Sequence, residues 1–294
     1  MNISLKYFVY SLRPQQWIKN MFVFLPALFG QVLLSVDILI AASLGFVVFC
    51  FASSAVYLVN DVLDYDRDQL HPSKKLRPIA AGHIKRNHAL GIAIILAFAS
   101  CLGGASINLV FGGTIFLYIS FNFVYSFFLK SIVIIDVFCI GLFFMLRLMA
   151  GSILAGVALS HWIIIMTVLL ALFLGFNKRR QELKWLKIKA GHHRSVLKKY
   201  NQYFIDQMIS VVTSSIMVTY MLYTVDITTI ENIGSRKLIC TIPFVYYGIF
   251  RYLYLIHIRN IDGDPTRVVI KDRLTLLNLL LWFIVSGMVI YLGE

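Results

Sequence analysis

The sequence predicts an all-α polytopic membrane protein, a single domain over residues 1–294 built as a bundle of about nine transmembrane helices. Three observations carry this. Of the residues, 59% are hydrophobic and only 14% charged, where a soluble domain holds roughly a quarter charged. Apolar runs of about 20 residues, the length that crosses a bilayer as a helix, recur along the whole chain. The charges are confined to connections between those runs, so no separate soluble module is expected.

Taken in order, the expected spans are residues 19–34, 38–59, 89–107, 109–129, 133–157, 162–176, 204–225, 238–258 and 274–292. The first is short and its neighbourhood amphipathic. The basic, aromatic start, residues 1–20, lacks the short apolar run and small-residue site of a cleavable signal peptide. Cys50, Cys101, Cys139 and Cys240 all lie in apolar runs without metal-ligand spacing and read as packing residues. Every second connection is basic. With those connections on one face, that face holds all Lys and Arg but four: Arg236 and Lys237 lie opposite, and Arg147 and Arg251 fall within spans. The positive-inside rule then places the N-terminus and the basic loops in the cytoplasm and the C-terminus outside. The net charge of +13 points to anionic head groups and phosphorylated ligands, not nucleic acid, because the bases sit between membrane runs.

The stretch that organises the chain is residues 60–82, N-D-V-L-D-Y-D-R-D-Q-L-H-P-S-K-K-L-R-P-I-A-A-G, directly after the second span. Asn60, Asp64 and Asp68 recur every four residues, which puts them on one face of a helix, with Asp61 beside them and Asp66 pointing away. Clustered oxygen ligands with room for phosphate oxygens suit Mg²⁺. Lys74, Lys75 and Arg77 follow, and Pro72 and Pro78 shape the loop. An ordinary solvated loop is the plain alternative; it requires the spacing and the acid-then-base order both to be accidental. His71, His192 and His193 read as loop residues.

Other charges sit where lipid would reject them. Arg147 lies in an apolar span and is expected to face a polar cavity; Tyr125, Ser126, Lys130 and Asp136 are expected to line the bundle interior with it, snorkelling being the alternative for Lys130 and Asp136 near the interface. Arg251 is expected either to snorkel to the interface or to face inward. A weak internal repeat places a second charged loop, N-K-R-R-Q-E-L from Asn177, four spans after the first. Two such loops predict one shared site at the cytoplasmic mouth of the bundle, with Lys178, Arg179, Arg180 and Glu182 in a phosphate pocket.

These motifs resemble the UbiA superfamily of intramembrane prenyltransferases, and within it the decaprenyl-phosphate phosphoribosyltransferase branch. The resemblance rests on R-P-Q-Q-W-I-K-N from Arg13, N-D-x-x-D-x-x-x-D with H-P-x-K-x-x-R-P-I-A-A-G from Asn60, Y-S-x-x-L-K from Tyr125, R-L-M-A-G from Arg147, K-R-R-Q-E-L from Lys178 and G-D-P-T-R-V-V-I-K-D-R from Gly263. It implies a nine-helix bundle whose cavity opens to the cytoplasm and sideways to lipid, in a bacterial inner membrane. It implies transfer of 5-phosphoribose from 5-phosphoribosyl 1-diphosphate to a polyprenyl phosphate of decaprenyl type, making a precursor of lipid-linked pentose donors for envelope glycans. Asn60, Asp64 and Asp68 would then hold Mg²⁺, and Asp61, Asp64 and Asp68 would be the catalytic carboxylates. Lys19, Lys74, Arg77, Tyr125, Lys130 and Arg147 would join Lys178, Arg179, Arg180 and Glu182 around substrate phosphates.

The chain departs from the wider superfamily in the later loop, where K-R-R-Q-E replaces an acidic D-x-x-x-D. A basic cluster there favours two phosphorylated substrates over an aromatic acceptor. Two other readings stay open at this point. One is prenyl transfer from a prenyl diphosphate to an aromatic or haem-like acceptor. The other is a transporter or lipid-binding scaffold without turnover.

Overall fold

The computed structural model describes residues 5–70, 74–188, 199–259 and 265–292; His71, Pro72, His192 and His193 lie outside them. The described chain is helical throughout and divides into two compact units, one ending at Leu159 and the other built from the helices that follow.

The first unit holds α1 (Leu5–Ser11), a 3₁₀ segment (Pro14–Phe24), α2 (Leu25–Phe29), α3 (Val36–Leu63), α4 (Tyr65–Leu70), α5 (Arg86–Ile107), α6 (Leu109–Phe127) and α7 (Ile135–Ala155). Its core gathers Phe49, Phe111, Tyr118 and Phe143 from α3, α6 and α7, with Val23 from the 3₁₀ segment. Asn108 ends α5 and starts α6, its side chain accepting from the amides of Val110 and Phe111, which satisfies two of the helix's orphan donors. The tight reversal is possible because Gly112 meets the backbone of Ala105; a Cβ there would lie 2.6 Å from Ala105 N. Outward faces are apolar and exposed, as Ile94, Ile95 and Phe98 on α5 and Phe116 on α6 show. That inversion belongs to a protein solvated by lipid.

Among the described residues, eight helices are long and apolar enough to cross a membrane. They match the second to ninth expected spans. The expected first span is a different element: Pro14–Phe24 is 3₁₀ and only Leu25–Phe29 is α. A 3₁₀ helix has three residues per turn, so positions three apart stack in columns. Gln15, Ile18 and Met21 form the exposed column; Trp17, Asn20 and Val23 form the inner one. The inner column steps down α3: Trp17 Nε1 donates to Ser54 Oγ at 3.1 Å, and Asn20 Nδ2 reaches Ser53 Oγ and Cys50 Sγ, each at 3.3 Å. Outside that column, at the end of the 3₁₀ segment, Phe24 meets the ring of Phe46 at 5.9 Å. With rises of about 2.0 Å per 3₁₀ residue and 1.5 Å per α residue, residues 14–29 extend roughly 30 Å, about one hydrocarbon thickness.

The second unit holds α8 (His161–Ile188), α9 (Gln202–Val225), α10 (Ile227–Ile233), α11 (Ile242–His257), α12 (Pro265–Lys271) and α13 (Arg273–Leu292). The loop expected from Asn177 is not a loop. α8 runs through it without interruption, because K-R-R-Q-E-L contains strong helix formers and neither Gly nor Pro, and Arg179 pairs with Glu182 one turn on. Between α11 and α13, Asn278 Nδ2 donates to the Phe244 carbonyl at 2.8 Å and Trp282 Nε1 on α13 donates to Tyr220 Oη on α9 at 2.9 Å. Arg251 does not snorkel: it makes a forked pair with Asp272, Nε to Oδ2 at 3.0 Å and Nη2 to Oδ1 at 2.8 Å. Asp272 also caps α13, accepting from Thr275 N and Oγ1. The guanidinium first, and the Thr275 donors after it, hold the Asp272 carboxyl well below the usual range against the opposing effect of burial.

Two outcomes follow. If residues 14–29 cross the membrane, single cysteines at Lys6 and Gln31 in a cysteine-free background label with an impermeant thiol reagent from opposite faces; labelling from one face refutes the crossing. Because the folded-state pKa of Asp272 is depressed, its stabilisation is present above the unfolded value and lost as pH falls through the folded one. Asp272→Asn therefore lowers the melting temperature at pH 7, and the gap from wild type narrows below about pH 4. A gap independent of pH would contradict this assignment.

Candidate active site

α3 ends on the acidic motif. Its last turn carries Asn60 and Asp61, Asp64 closes it with φ −94° and ψ 8°, and α4 starts at Tyr65. The helical hydrogen bonds persist across the joint, Asp64 N to Asn60 O at 2.9 Å and Asp68 N to Asp64 O at 2.8 Å. The acids thus keep near-helical spacing with a small break at Asp64. The Asp61 and Asp68 side chains are 3% and 4% exposed, while that of Asp66 is 86% exposed and pairs with Arg86 outside the cluster. The outward direction expected for Asp66 is the one observed.

Three separate stretches bring bases to the acids. Residues 78–84 fold back through Ala81 N to Arg77 O and Ile84 N to Pro78 O, with Gly82 at φ +79° where a side chain would be strained. Ile79 and Ile84 are fully buried against Leu58, Ala89 and Ala93. That apolar plug fixes Arg77, whose Nη1 donates to Asp61 Oδ1 at 3.0 Å and, in a very short contact, to Asp68 Oδ2. Arg13 comes from the turn between α1 and the 3₁₀ segment. Its Nη2 also binds Asp61 Oδ1, and its guanidinium lies 4.9 Å from the centre of the Tyr57 ring. Lys130, after α6, binds Asp64 Oδ1 at 3.1 Å, and Arg67 stands 3.7 Å from the same oxygen. Ser126 Oγ donates to Asn60 Oδ1 at 2.5 Å. Burial pushes the Asp68 carboxyl above its ordinary range; Arg77 and Lys74 oppose that, and the neighbouring Asp61 charge adds to it.

The expected metal set was Asn60, Asp64 and Asp68. The structure brings Asp61 and Asp68 together on one atom, Arg77 Nη1, and turns Asp64 toward Lys130 and Asn60 toward Ser126. Among the described residues no three His, Cys, Asp or Glu side chains converge as a ready metal cluster. The donors nonetheless fit a hard cation. They are all oxygens, and two carboxylates already close on a single cationic point, leaving the remaining coordination to phosphate and water.

The other expected residues divide. Lys19 lies on the 3₁₀ segment within electrostatic reach of Tyr118. Tyr125 packs edge-on to Phe143 at 5.5 Å. Arg147 is buried in mid-span and bonds to Asn20, Tyr118 and the Phe143 carbonyl, with none of the acids. In the second unit Arg179 is fully buried against Glu182 at 2.5 Å, Arg180 binds Asp206 at 2.5 Å, and Lys178 is half-buried. Arg13, Asn20, Tyr57 and Tyr118 belong to the polar set although no spacing rule picked them; R-P-Q-Q-W-I-K-N, with Arg13 and Asn20 at its two ends, was a signal for those two, and none marked Tyr57 or Tyr118.

A polytopic helical protein with an acid-and-base cluster at the end of its second long segment is a defined class, and comparison with known proteins names it. Residues 21–268 match the UbiA prenyltransferase family, and the chain belongs to that family. It is 30% identical to the decaprenyl-phosphate phosphoribosyltransferase of Corynebacterium glutamicum, over 96% of this chain and 86% of the relative. It is 30% identical to that of Mycolicibacterium smegmatis, over 96% and 91%. In fold it is similar to a UbiA homologue from Archaeoglobus fulgidus bound to DMAPP and Mg²⁺, with TM-score 0.70, 20% identity, and coverage of 95% of this chain and 99% of that one.

Removing Asp61 leaves two guanidinium groups without their shared acceptor, and breaking a buried pair on one side costs on the order of 3–5 kcal/mol before solvent relaxation. Both arginines are partly exposed, so the expected loss for Asp61→Asn is smaller, about 2 kcal/mol. Asp66→Asn should cost less than about 0.5 kcal/mol, as exposed pairs do. Thermal unfolding in detergent checks both; equal shifts would contradict the arrangement.

Proposed function

We propose that this protein transfers 5-phosphoribose from 5-phosphoribosyl 1-diphosphate to a polyprenyl phosphate of decaprenyl type, releasing diphosphate. The observation that carries the reading is the convergence of Asp61 and Asp68 on Arg77, with Arg13 also on Asp61, Lys74 acting electrostatically on Asp68, and Lys130 on the neighbouring Asp64. The names of relatives that match nearly the whole chain support it. So do the bases at Lys178, Arg179 and Arg180 where an acidic pair would serve a second metal.

In this reaction the ribose C1–O bond to diphosphate breaks and a lipid phosphate oxygen bonds to C1. The acceptor is already an anion at pH 7, so no proton has to be removed from it, and a cluster without a general base suffices. Bound Mg²⁺, held by Asn60, Asp61, Asp64 and Asp68, would neutralise charge on the leaving diphosphate. Arg77 would release Asp61 and Asp68 and take phosphate oxygens with a fork, and Lys74, which acts on Asp68 electrostatically, would take one as a point charge. Lys19, Tyr125 and Lys130 complete the polar wall. In α8, Lys178, Arg179 and Arg180 are assigned positive potential toward substrate phosphates, Arg179 and Arg180 being also paired with Glu182 and Asp206. Holding two anions together against repulsion is the main task, and positioning of this kind lowers barriers substantially. The site faces the cytoplasm of a bacterial inner membrane, and the product feeds lipid-linked pentose donors for envelope glycans.

Purified protein with Mg²⁺, 5-phosphoribosyl 1-diphosphate and a polyprenyl phosphate should release diphosphate and form a phosphoribosylated lipid. Asp64→Asn and Asp68→Asn should each cut kcat by roughly 10²–10³, the usual loss when charge stabilisation of a leaving group is removed. Asp66→Asn should stay near wild type. Lys178→Gln should raise a substrate KM roughly ten-fold, as expected for one charged phosphate contact. Turnover with a prenyl diphosphate and an aromatic acceptor, and none with the ribose donor, would reverse the assignment in favour of prenyl transfer; no diphosphate release with either donor would favour the scaffold reading.

A further inference from the structure

Arg147 presents a problem that the reaction does not solve. It sits in the middle of α7, 4% exposed, and among the described residues no carboxylate lies within ion-pair range of it. Its charge is met by dipoles and rings instead. Nε donates to Asn20 Oδ1 at 2.8 Å, Nη1 to the Phe143 carbonyl at 2.8 Å, and Nη2 to Tyr118 Oη at 2.9 Å. The faces of Tyr118, Phe49 and Phe144 lie 4.7, 5.7 and 5.8 Å from its Cζ. All three nitrogens are thus engaged by protein. One turn on, Gly151 touches the backbone of the 3₁₀ segment: a Cβ there would lie 2.1 Å from Val23 O and 2.8 Å from Val23 C. Arg147 and Gly151 are four apart on one face of α7. Their partners, Asn20 and Val23, are three apart in one column of the 3₁₀ segment. R-L-M-A-G thus grips the 3₁₀ segment at two points, at Asn20, the last residue of R-P-Q-Q-W-I-K-N, and at Val23 just beyond it.

At the site end of that segment, Arg13 has φ 56° and ψ 58°, the left-handed region that a side-chain-bearing residue enters only when its surroundings impose it. Its side chain reaches Asp61. A 3₁₀ rod transmits register, because a slip of one residue turns every side chain by about 120°. Losing the grip at Asn20 and Val23 would turn Trp17 off Ser54 and Arg13 off Asp61.

We propose that Arg147 is a positioning residue, not a phosphate ligand: with Gly151 it clasps the 3₁₀ segment against α7 and so holds Arg13 on Asp61.

Backbone hydrogen exchange of the full-length protein in lipid nanodiscs, read by mass spectrometry, tests this without reference to which group is transferred. In Arg147→Met and in Gly151→Ala, exchange across Pro14–Phe24 should rise at least ten-fold in rate while α5 and α6 stay as in wild type. Should Arg147→Met fail to insert, Asn20→Ala removes only the amide acceptor and should give the same local rise. Asn20→Asp, which offers the guanidinium a carboxylate, should keep the segment protected. Unchanged exchange over Pro14–Phe24 in Arg147→Met or Asn20→Ala overturns the clasp, and so does an equal rise across every helix of the first unit, the mark of plain destabilisation. The kinetic arm rests on the proposed transfer. Arg147→Met should lower kcat with little change in either substrate KM, and in an Arg13→Gln background it should add less than a two-fold further loss. A rise of ten-fold or more in the KM for polyprenyl phosphate with unaltered exchange would make Arg147 a substrate contact and end the proposal.

Discussion

Neutralising buried carboxylates at the end of a membrane helix is the constraint around which the first unit is arranged. Asp61 and Asp68 are almost inaccessible, and an ionised carboxylate in such a place is unaffordable unless it is paired and hydrogen-bonded. α3 cannot supply the partners itself, since its own motif is acidic where it is buried. They come from chain before it, at Arg13, and from the turn after it, at Arg77, while Lys130 from beyond α6 meets the neighbouring Asp64. Each delivery has an apolar or steric anchor. Arg77 is fixed by the buried pair Ile79 and Ile84, and Arg13 by the packing of the segment that follows it. Charge sets which elements must meet, and packing sets where.

The spans were legible because bilayer thickness writes them into the sequence as long apolar runs, and eight of the nine expected elements are long helices. The first was misread as an ordinary helix for a definite reason. Both its inner column, Trp17–Asn20–Val23, and its outer one, Gln15–Ile18–Met21, mix polar with apolar residues. A period of three therefore leaves no hydrophobic trace. The end of α8 was misread for the opposite reason. Dense charge after an apolar run looks like a loop at an interface, yet Arg179, Glu182, Arg180 and Asp206 cancel one another and let the helix continue. Arg251 was left open between two readings because its partner Asp272 lies 21 residues away and nothing local announces it.

Within the site, helical spacing identified the acidic face and the outward turn of Asp66, but not which acids share Arg77. Steps of four predict Asn60, Asp64 and Asp68 in line. Asp61 and Asp68 are seven apart, two turns, which is also in line, and the break at Asp64 together with the reach of Arg77 selects that pair. Spacing on one helix cannot report a base that arrives from elsewhere, so the choice between the two alignments was not in the motif.

The same pairing bears on how such a cluster can receive a doubly charged metal and a phosphorylated donor. The carboxylates are already balanced by the chain's own bases, so adding Mg²⁺ alone would place excess positive charge in a region of low dielectric, where like charges repel strongly. Adding a diphosphate alone would do the reverse with Asp61, Asp64 and Asp68. Adding both permits an exchange of partners: carboxylates pass from bases to metal, bases pass from carboxylates to phosphate, and no charge is left uncompensated at the end. On the proposed reading the ion pairs around Asp61, Asp64 and Asp68 therefore favour metal and donor entering together over either alone, which ties the exposure of the phosphate-binding bases to the occupation of the acids.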